Sequence, residues 1–80
     1  MNATIVEANH HRSMYIFERE DGEYGYFELL EFLDLEIEEV LSGDFSDIGD
    51  RIVVQCSTNK KIKISIEDFC SLEIAEEMIS

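Results

Sequence analysis

The sequence predicts a mainly β protein: a small five-stranded barrel, OB-like or SH3-like, followed by a short C-terminal helix. Three observations support this. Runs rich in β-branched and aromatic residues are separated by turn residues, residues 13–30 fold back on themselves about Asp21-Gly22, and the apolar spacing becomes helical after Glu67. With 80 residues, the chain forms a single small domain covering residues 1–80.

The first strand is predicted at residues 3–8, ATIVEA, because its centre is β-branched. Residues 9–12, NHHR, then interrupt the strand. His10 and His11 are adjacent, so they point in different directions on any regular element, and a metal site would need ligands from elsewhere. We therefore expect both histidines to lie in a solvent-exposed loop.

Residues 13–30, SMYIFEREDGEYGYFELL, predict a β-hairpin with a two-residue loop, since Asp-Gly readily adopts positive φ. This loop would pair Glu20 with Glu23 and Met14 with Leu29. Side-chain alternation then puts two sets of residues on opposite faces. One face carries Met14, Ile16, Phe27 and Leu29, and the other carries Tyr15, Phe17, Arg19, Tyr24 and Tyr26.

Either hairpin face can form the core in this interpretation. The apolar face resembles core, whereas the aromatic face packs beneath the protein's own helix or contacts a ligand. The candidate binding face is therefore drawn from both sets: Met14, Tyr15, Ile16, Phe17, Arg19, Tyr24, Tyr26 and Phe27.

Residues 28–41, ELLEFLDLEIEEVL, have two interpretations. In the strand interpretation, residues 31–36 turn and residues 37–41 form a strand. This version is favoured because no N-cap residue precedes Glu28 and Ser42-Gly43 follows at strand-like distance. The helical interpretation is supported by apolar residues at helical spacing: Leu30, Leu33, Ile37, Val40 and Leu41.

Residues 43–50, GDFSDIGD, carry three aspartates at a spacing of three. A calcium loop of the EF-hand type places oxygens at alternate positions and closes with Glu. Asp44, Asp47 and Asp50 are therefore predicted to be solvated turn and cap residues.

A second hairpin is predicted from strands at residues 51–56 and 62–66, with Thr58-Asn59 near its tip. Lys60, Lys61 and Lys63 cluster there and form a candidate cationic patch. The same pattern is typical of an edge strand protected from aggregation by lysine.

Ser71 is predicted to cap a helix over residues 72–79. Four side chains of this helix are available to pack on the barrel: Leu72, Ala75, Met78 and Ile79.

Charge and composition restrict the possible functions. Nineteen acidic and six basic residues give a net charge of −13, which repels nucleic acid and anionic membranes. No apolar run reaches the roughly 18 residues of a membrane span, and the N-terminus lacks a signal core, so we expect a cytoplasmic protein without a membrane partner. Cys56 and Cys70 are expected to be buried reduced thiols, a single disulfide being the alternative.

The sequence contains no nucleophile elbow, P-loop, dinucleotide fingerprint, zinc-metalloprotease helix or cysteine-rich zinc pattern. We therefore expect no catalytic residues, no cofactor and no metal site, and the protein is predicted not to be an enzyme.

Three segments resemble the cold-shock domains, a branch of the OB-fold: TIVEAN at 4–9, RSMYIFE at 12–18 and EYGYFEL at 23–29. The resemblance covers roughly the first 30 residues. The positions of that family's two base-stacking Phe fall on Met14 and Ile16, and those of its flanking Gly fall on Ser13 and Tyr15. The family's orientation would put Met14 and Ile16 towards the ligand and turn Tyr15, Phe17 and Tyr26 inward.

Two functions follow from these patterns. The first is a non-catalytic acidic module that binds a basic protein partner or itself, through residues 28–50 or, in a homodimer, an exposed sheet edge. The second is a divergent single-stranded nucleic-acid binder of cold-shock type, with Arg12, Arg19 and the lysine cluster contacting phosphate.

Overall fold

Six β-strands and one α-helix make up the chain in a computed structural model, which describes residues 1–80. A 3₁₀ turn at His10–Arg12 separates the first two strands, and both histidines are exposed, as predicted. The elements in chain order are β1 (Asn2–Asn9), β2 (Met14–Arg19), β3 (Tyr24–Leu29), β4 (Val40–Ser42), β5 (Gly49–Gln55), β6 (Lys60–Phe69) and α1 (Leu72–Ile79).

The strands close into an antiparallel barrel in the order β1-β2-β3-β6-β5-β4, with β4 pairing back to β1. The predicted small barrel with a C-terminal helix is confirmed, with six strands rather than five. Closure is partial, because β4 pairs only with Asn2–Thr4 of β1 and with Val54 and Gln55 of β5. The β6 residues 60–63 pair with β5, whereas β3 pairs with β6 from Ile64 to Phe69, so the three lysines lie where β6 has a strand on one side only.

The loop of the first hairpin has three residues instead of two, so the predicted register is wrong by one position. Glu18 pairs with Tyr24, and the Arg19 amide donates to the Glu23 carbonyl at 2.8 Å. Gly22 takes a left-handed conformation with φ of 86° at the last loop position. A turn followed by a left-handed glycine is the usual three-residue hairpin loop.

This shift changes which residues share a face. Tyr15 and Phe17 point into the barrel with Phe27 and Leu29, whereas Met14, Ile16 and Tyr26 lie outside beneath α1. The predicted grouping of Met14 and Ile16 with Phe27 is therefore wrong, as is the inward orientation of Tyr26. Both faces of the hairpin are core, one for the barrel and one for the helix.

Two loops close the ends of the barrel with apolar side chains. Leu35, in the loop between β3 and β4, is fully buried, and its amide donates to the Tyr15 hydroxyl at 3.0 Å. Phe45, between β4 and β5, is also fully buried and contacts the ring of Phe17 at 5.1 Å between centroids. The helical interpretation of residues 28–41 is wrong. The favoured strand interpretation is right in kind, but its strand begins at Val40 instead of residue 37, because residues 36–39 form a turn in which the Glu39 amide donates to the Glu36 carbonyl at 3.2 Å.

The helix α1 covers the outside of β2 and β3. Ser71 caps it as predicted, its hydroxyl accepting from the Ile74 amide at 3.3 Å. Ala75 and Ile79 are buried against the barrel, but Met78 is 49% exposed, so its predicted packing is wrong. At the C-terminal end of α1, the Arg12 guanidinium donates to the carbonyl oxygens of Met78 and Ser80, which lack partners within the helix.

The two cysteines are free thiols, and no disulfide joins them. Cys70 is half-buried next to the α1 core, and burial raises the pKa of its thiol. Cys56 is exposed because it lies at the turn between β5 and β6, so the predicted burial of this thiol is wrong.

Candidate interaction surface

The predicted binding face does not form one surface. Tyr15, Phe17 and Phe27 line the barrel interior, and only Arg19 and Tyr24 are half-buried. The remaining three, Met14, Ile16 and Tyr26, are covered by α1. In this structure the aromatic rings of the hairpin stabilise two cores and are not free to stack on a ligand.

The three arginines are all used in contacts within the chain. Arg19 donates to the Phe45 carbonyl at 2.9 Å, pairs with Asp21 at 2.8 Å, and lies over the Phe69 ring at 4.9 Å. These contacts hold the loop that closes the Phe45 end of the barrel. Arg12 holds the end of α1, as described above.

Arg51 organises the acidic loop between β4 and β5. Its guanidinium donates to the Asp47 and Ile48 carbonyls at 3.4 and 3.2 Å and pairs with Asp44 at 3.6 Å. Hydrogen bonds from Ser46 and the charge of Arg51 lower the pKa of the Asp44 carboxyl. The Arg51 guanidinium therefore holds the aspartate-rich loop together, and Asp44 lies in a turn as predicted.

The three lysines are the cationic side chains that make no hydrogen bond or ion pair within the chain, whereas Arg12, although exposed, is held by the end of α1. Lys61 and Lys63 alternate with buried Ile62 and Ile64, so they project outward from β6, and none of the three lysines forms an ion pair. Ile52 on β5 pairs with Lys63 on β6, and its side chain is 69% exposed. The predicted cationic patch thus lies on one hairpin beside an exposed apolar residue.

Phe32 was not singled out in the sequence, yet it is the most exposed large apolar side chain, with a relative exposure of 110%. It lies in the acidic loop, which we define as residues 30–39 between β3 and β4. The signal for it was present in the alternation of this segment. Phe32 has the same parity as Asp34 and Glu36, whereas Leu33 and Leu35 have the other.

The acidic loop is held to the barrel on both sides of Phe32. The Leu30 amide donates to the Lys63 carbonyl at 3.0 Å, and the Glu31 carboxylate accepts from the Lys63 amide at 3.1 Å. After Phe32, Leu33 packs against the barrel core and the Leu35 carbonyl lies 2.8 Å from Nε2 of His10. The residues on both sides of Phe32 are therefore fixed to the barrel, while its own side chain projects into solvent.

Glu39 anchors the end of the acidic loop. Its carboxylate accepts hydrogen bonds from the Glu36 amide at 2.7 Å and from the Gln55 and Ser57 side chains, both at 2.8 Å. Burial raises the pKa of Glu39, but these hydrogen bonds outweigh it and lower the pKa overall. Glu39 is thus an ionised structural group and not a free acid.

A groove of about 330 Å³ lies beside Phe32. It is lined by Ser13, Glu31, Phe32, Leu33 and Asp34, which together provide an aromatic ring, an aliphatic side chain and two carboxylates. Such a surface can bind a group that is both flat and positively charged.

No group of three or more His, Cys, Asp or Glu side chains is placed to hold a metal ion. No helix in the structure is long and apolar enough to cross a membrane. Comparisons of the chain with models of protein families, with curated proteins and with solved structures give no match.

Proposed function

We propose that this protein is a non-catalytic interaction module that binds a basic protein partner. The distribution of charge carries the proposal. The three arginines are engaged in internal contacts and the three lysines lie together on the β5–β6 hairpin. The rest of a surface with a net charge of −13 is therefore acidic, and it displays an exposed phenylalanine at the acidic loop.

Complementary charge accelerates the encounter between proteins, and an apolar contact then slows dissociation. A basic partner with an apolar surface would be attracted by the acidic surface and could then contact Phe32. Binding to a second copy is the less favourable form of the same function, because two molecules of charge −13 repel each other at ordinary ionic strength.

The test is an NMR titration of labelled protein with a synthetic amphipathic helical peptide built from Arg, Leu and Ala. Binding should weaken as salt is raised, because charge attraction is screened. A matched peptide with each Arg replaced by Gln should bind much more weakly. Association with the basic peptide that is weak and insensitive to salt would refute the proposal.

The alternative function, single-stranded nucleic-acid binding, is supported by the three unpaired lysines on one hairpin. The hairpin side chains that would stack on bases are buried, except for Tyr24, which is half-buried, and this burial disfavours the alternative. The variant with Lys60, Lys61 and Lys63 all changed to Gln separates the two functions. Nucleic-acid binding should be lost in this variant, whereas binding of the basic peptide should be unchanged or stronger.

A further inference from the structure

The geometry points to the groove beside Phe32 as a docking site for an arginine side chain of a basic partner. This inference rests on the proposed function and specifies its contact. The guanidinium would stack on the Phe32 ring, and its N–H groups would donate to the carboxylates of Glu31 and Asp34. The aliphatic stem of the arginine would lie along Leu33.

The exposure of Phe32 is the first argument for this site. A phenylalanine with 110% exposure contributes nothing to the core, which is closed at this end by Leu35 and supported by Leu33. Exposed aromatic residues are enriched among the side chains that dominate binding at protein interfaces. The hydrogen bonds of Leu30 and Glu31 to Lys63 fix the backbone that precedes Phe32. Binding a partner would therefore cost little conformational entropy in this segment.

Charge is the second argument, because it selects the partner. Two of the three polar residues that line the groove are carboxylates, Ser13 being the third, and the lysine side chains of β6 form no ion pair with them. The Asp34 carboxylate accepts no hydrogen bond within the chain and is exposed. A cation is therefore favoured over an anion or a neutral group.

The chain itself contains the proposed arrangement at another place. Arg19 lies over the Phe69 ring at 4.9 Å while its guanidinium pairs with Asp21 at 2.8 Å. A planar guanidinium can stack on an aromatic face and donate to a carboxylate at its edge at the same time, which the compact ammonium of lysine does less well. The groove beside Phe32 offers a ring and carboxylates for the same contact from outside.

The inference is tested with Phe32→Ala and the matched control Ile52→Ala, which removes an exposed apolar side chain from β5 instead. Binding of the Arg, Leu and Ala peptide is measured by titration calorimetry. Phe32→Ala should weaken it about 10- to 100-fold, the usual effect of losing a buried aromatic contact, and Ile52→Ala should leave it unchanged. Thermal unfolding of both variants should match that of the wild type, since both side chains are exposed.

A second pair of measurements addresses arginine and the carboxylates. Replacing each Arg of the peptide by Lys should weaken binding to the wild type but hardly change binding to Phe32→Ala. Asp34→Asn should also weaken binding of the Arg peptide. NMR shifts should centre on the groove residues Ser13, Glu31, Phe32, Leu33 and Asp34.

The outcomes distinguish this inference from the proposed function. If the basic peptide binds with a strong salt dependence but Phe32→Ala binds equally well, the groove is not the site and the function still stands. If the peptide does not bind the wild type at all, both are refuted.

Discussion

Gly25→Ala should strongly destabilise the barrel although this glycine has an ordinary backbone conformation. Gly25 lies on β3 and pairs with Phe17 on β2 and with Phe69 on β6. A Cβ atom at this position would lie 2.6 Å from the Asp68 carbonyl oxygen and 2.6 Å from Cζ of Phe17. The first of these atoms belongs to the backbone of the neighbouring strand and the second to a ring in the centre of the core.

Neither atom can move easily. The Phe17 ring is in contact with the rings of Phe27, Phe45 and Phe69 at centroid distances of 6.1, 5.1 and 5.9 Å. Overpacking a tight core costs about 1–3 kcal/mol, and two contacts this short place Gly25→Ala near the upper end, at about 3 kcal/mol. For a domain of this size, that corresponds to a decrease in Tm of about 12–24 °C.

Thermal and urea unfolding followed by circular dichroism measure this effect. Gly22→Ala is the matched control, because Gly22 has nothing within 4 Å of its added Cβ and pays only for its φ of +86°. We expect about 1–2 kcal/mol for this control. The double variant Phe17→Leu with Gly25→Ala should cost less than the sum of its two single changes, since the smaller side chain makes room for the Cβ. A Gly25→Ala protein as stable as Gly22→Ala would show that β3 does not pass this close to Phe17.

Three further predictions concern polar groups. Tyr15→Phe removes the acceptor of the buried Leu35 amide and should cost about 1–3 kcal/mol in urea unfolding, with faster amide exchange at Leu35. Arg51→Gln removes the guanidinium that holds the aspartate-rich loop, so residues 44–48 should become sensitive to proteolysis before the barrel unfolds. The neighbouring Glu76 carboxyl, together with burial, raises the pKa of Glu7 above its usual value, and Glu7 Oε2 is buried without a hydrogen-bond partner. The folded state therefore holds this proton more tightly than the unfolded state, and stability is lost as pH rises through the raised pKa. Glu7→Gln should reduce that loss, as measured by Tm at a series of pH values, and an unchanged pH profile would contradict the assignment.

The helix and the barrel could be predicted from sequence because their signals are local. Ser71 precedes a strongly amphipathic segment, and α1 begins and ends where that pattern does. Runs such as residues 51–56 are rich in β-branched residues, which favour a strand whatever its neighbours in the sheet. These elements need no knowledge of their partners to be recognised.

The register of the first hairpin could not be predicted with the same rule. Asp21-Gly22 suits both a two-residue loop and the end of a three-residue loop, because both need a left-handed glycine. The choice depends on which side chains enter the barrel, and Tyr15 and Phe17 fit there beside Phe27. A shift of one residue exchanges the faces of one strand relative to the other, so this single position decided the composition of both cores.

The candidate site was missed for a related reason. Counting aromatic residues favoured the hairpin, but a barrel with a helix on its outer face buries both sides of β2 and β3. Counting acids likewise favoured the whole of residues 28–50, although Glu39 and Asp44 are tied to structural contacts. Exposure depends on contacts between distant segments, and a linear pattern does not contain them.

The acidic loop shows how the demands of the fold and of binding can be separated within one segment. Leu35 closes the barrel, Glu39 anchors the loop to β5 and the following turn, and Leu33 supports the core. Together with the hydrogen bonds of Leu30 and Glu31 to Lys63, these three residues hold the loop in its conformation. Phe32 has no part in it, and an exposed phenylalanine favours nonspecific association of a protein in water. Since the fold neither requires nor shelters this ring, Phe32→Ala removes the proposed contact with a partner without removing a contact of the fold.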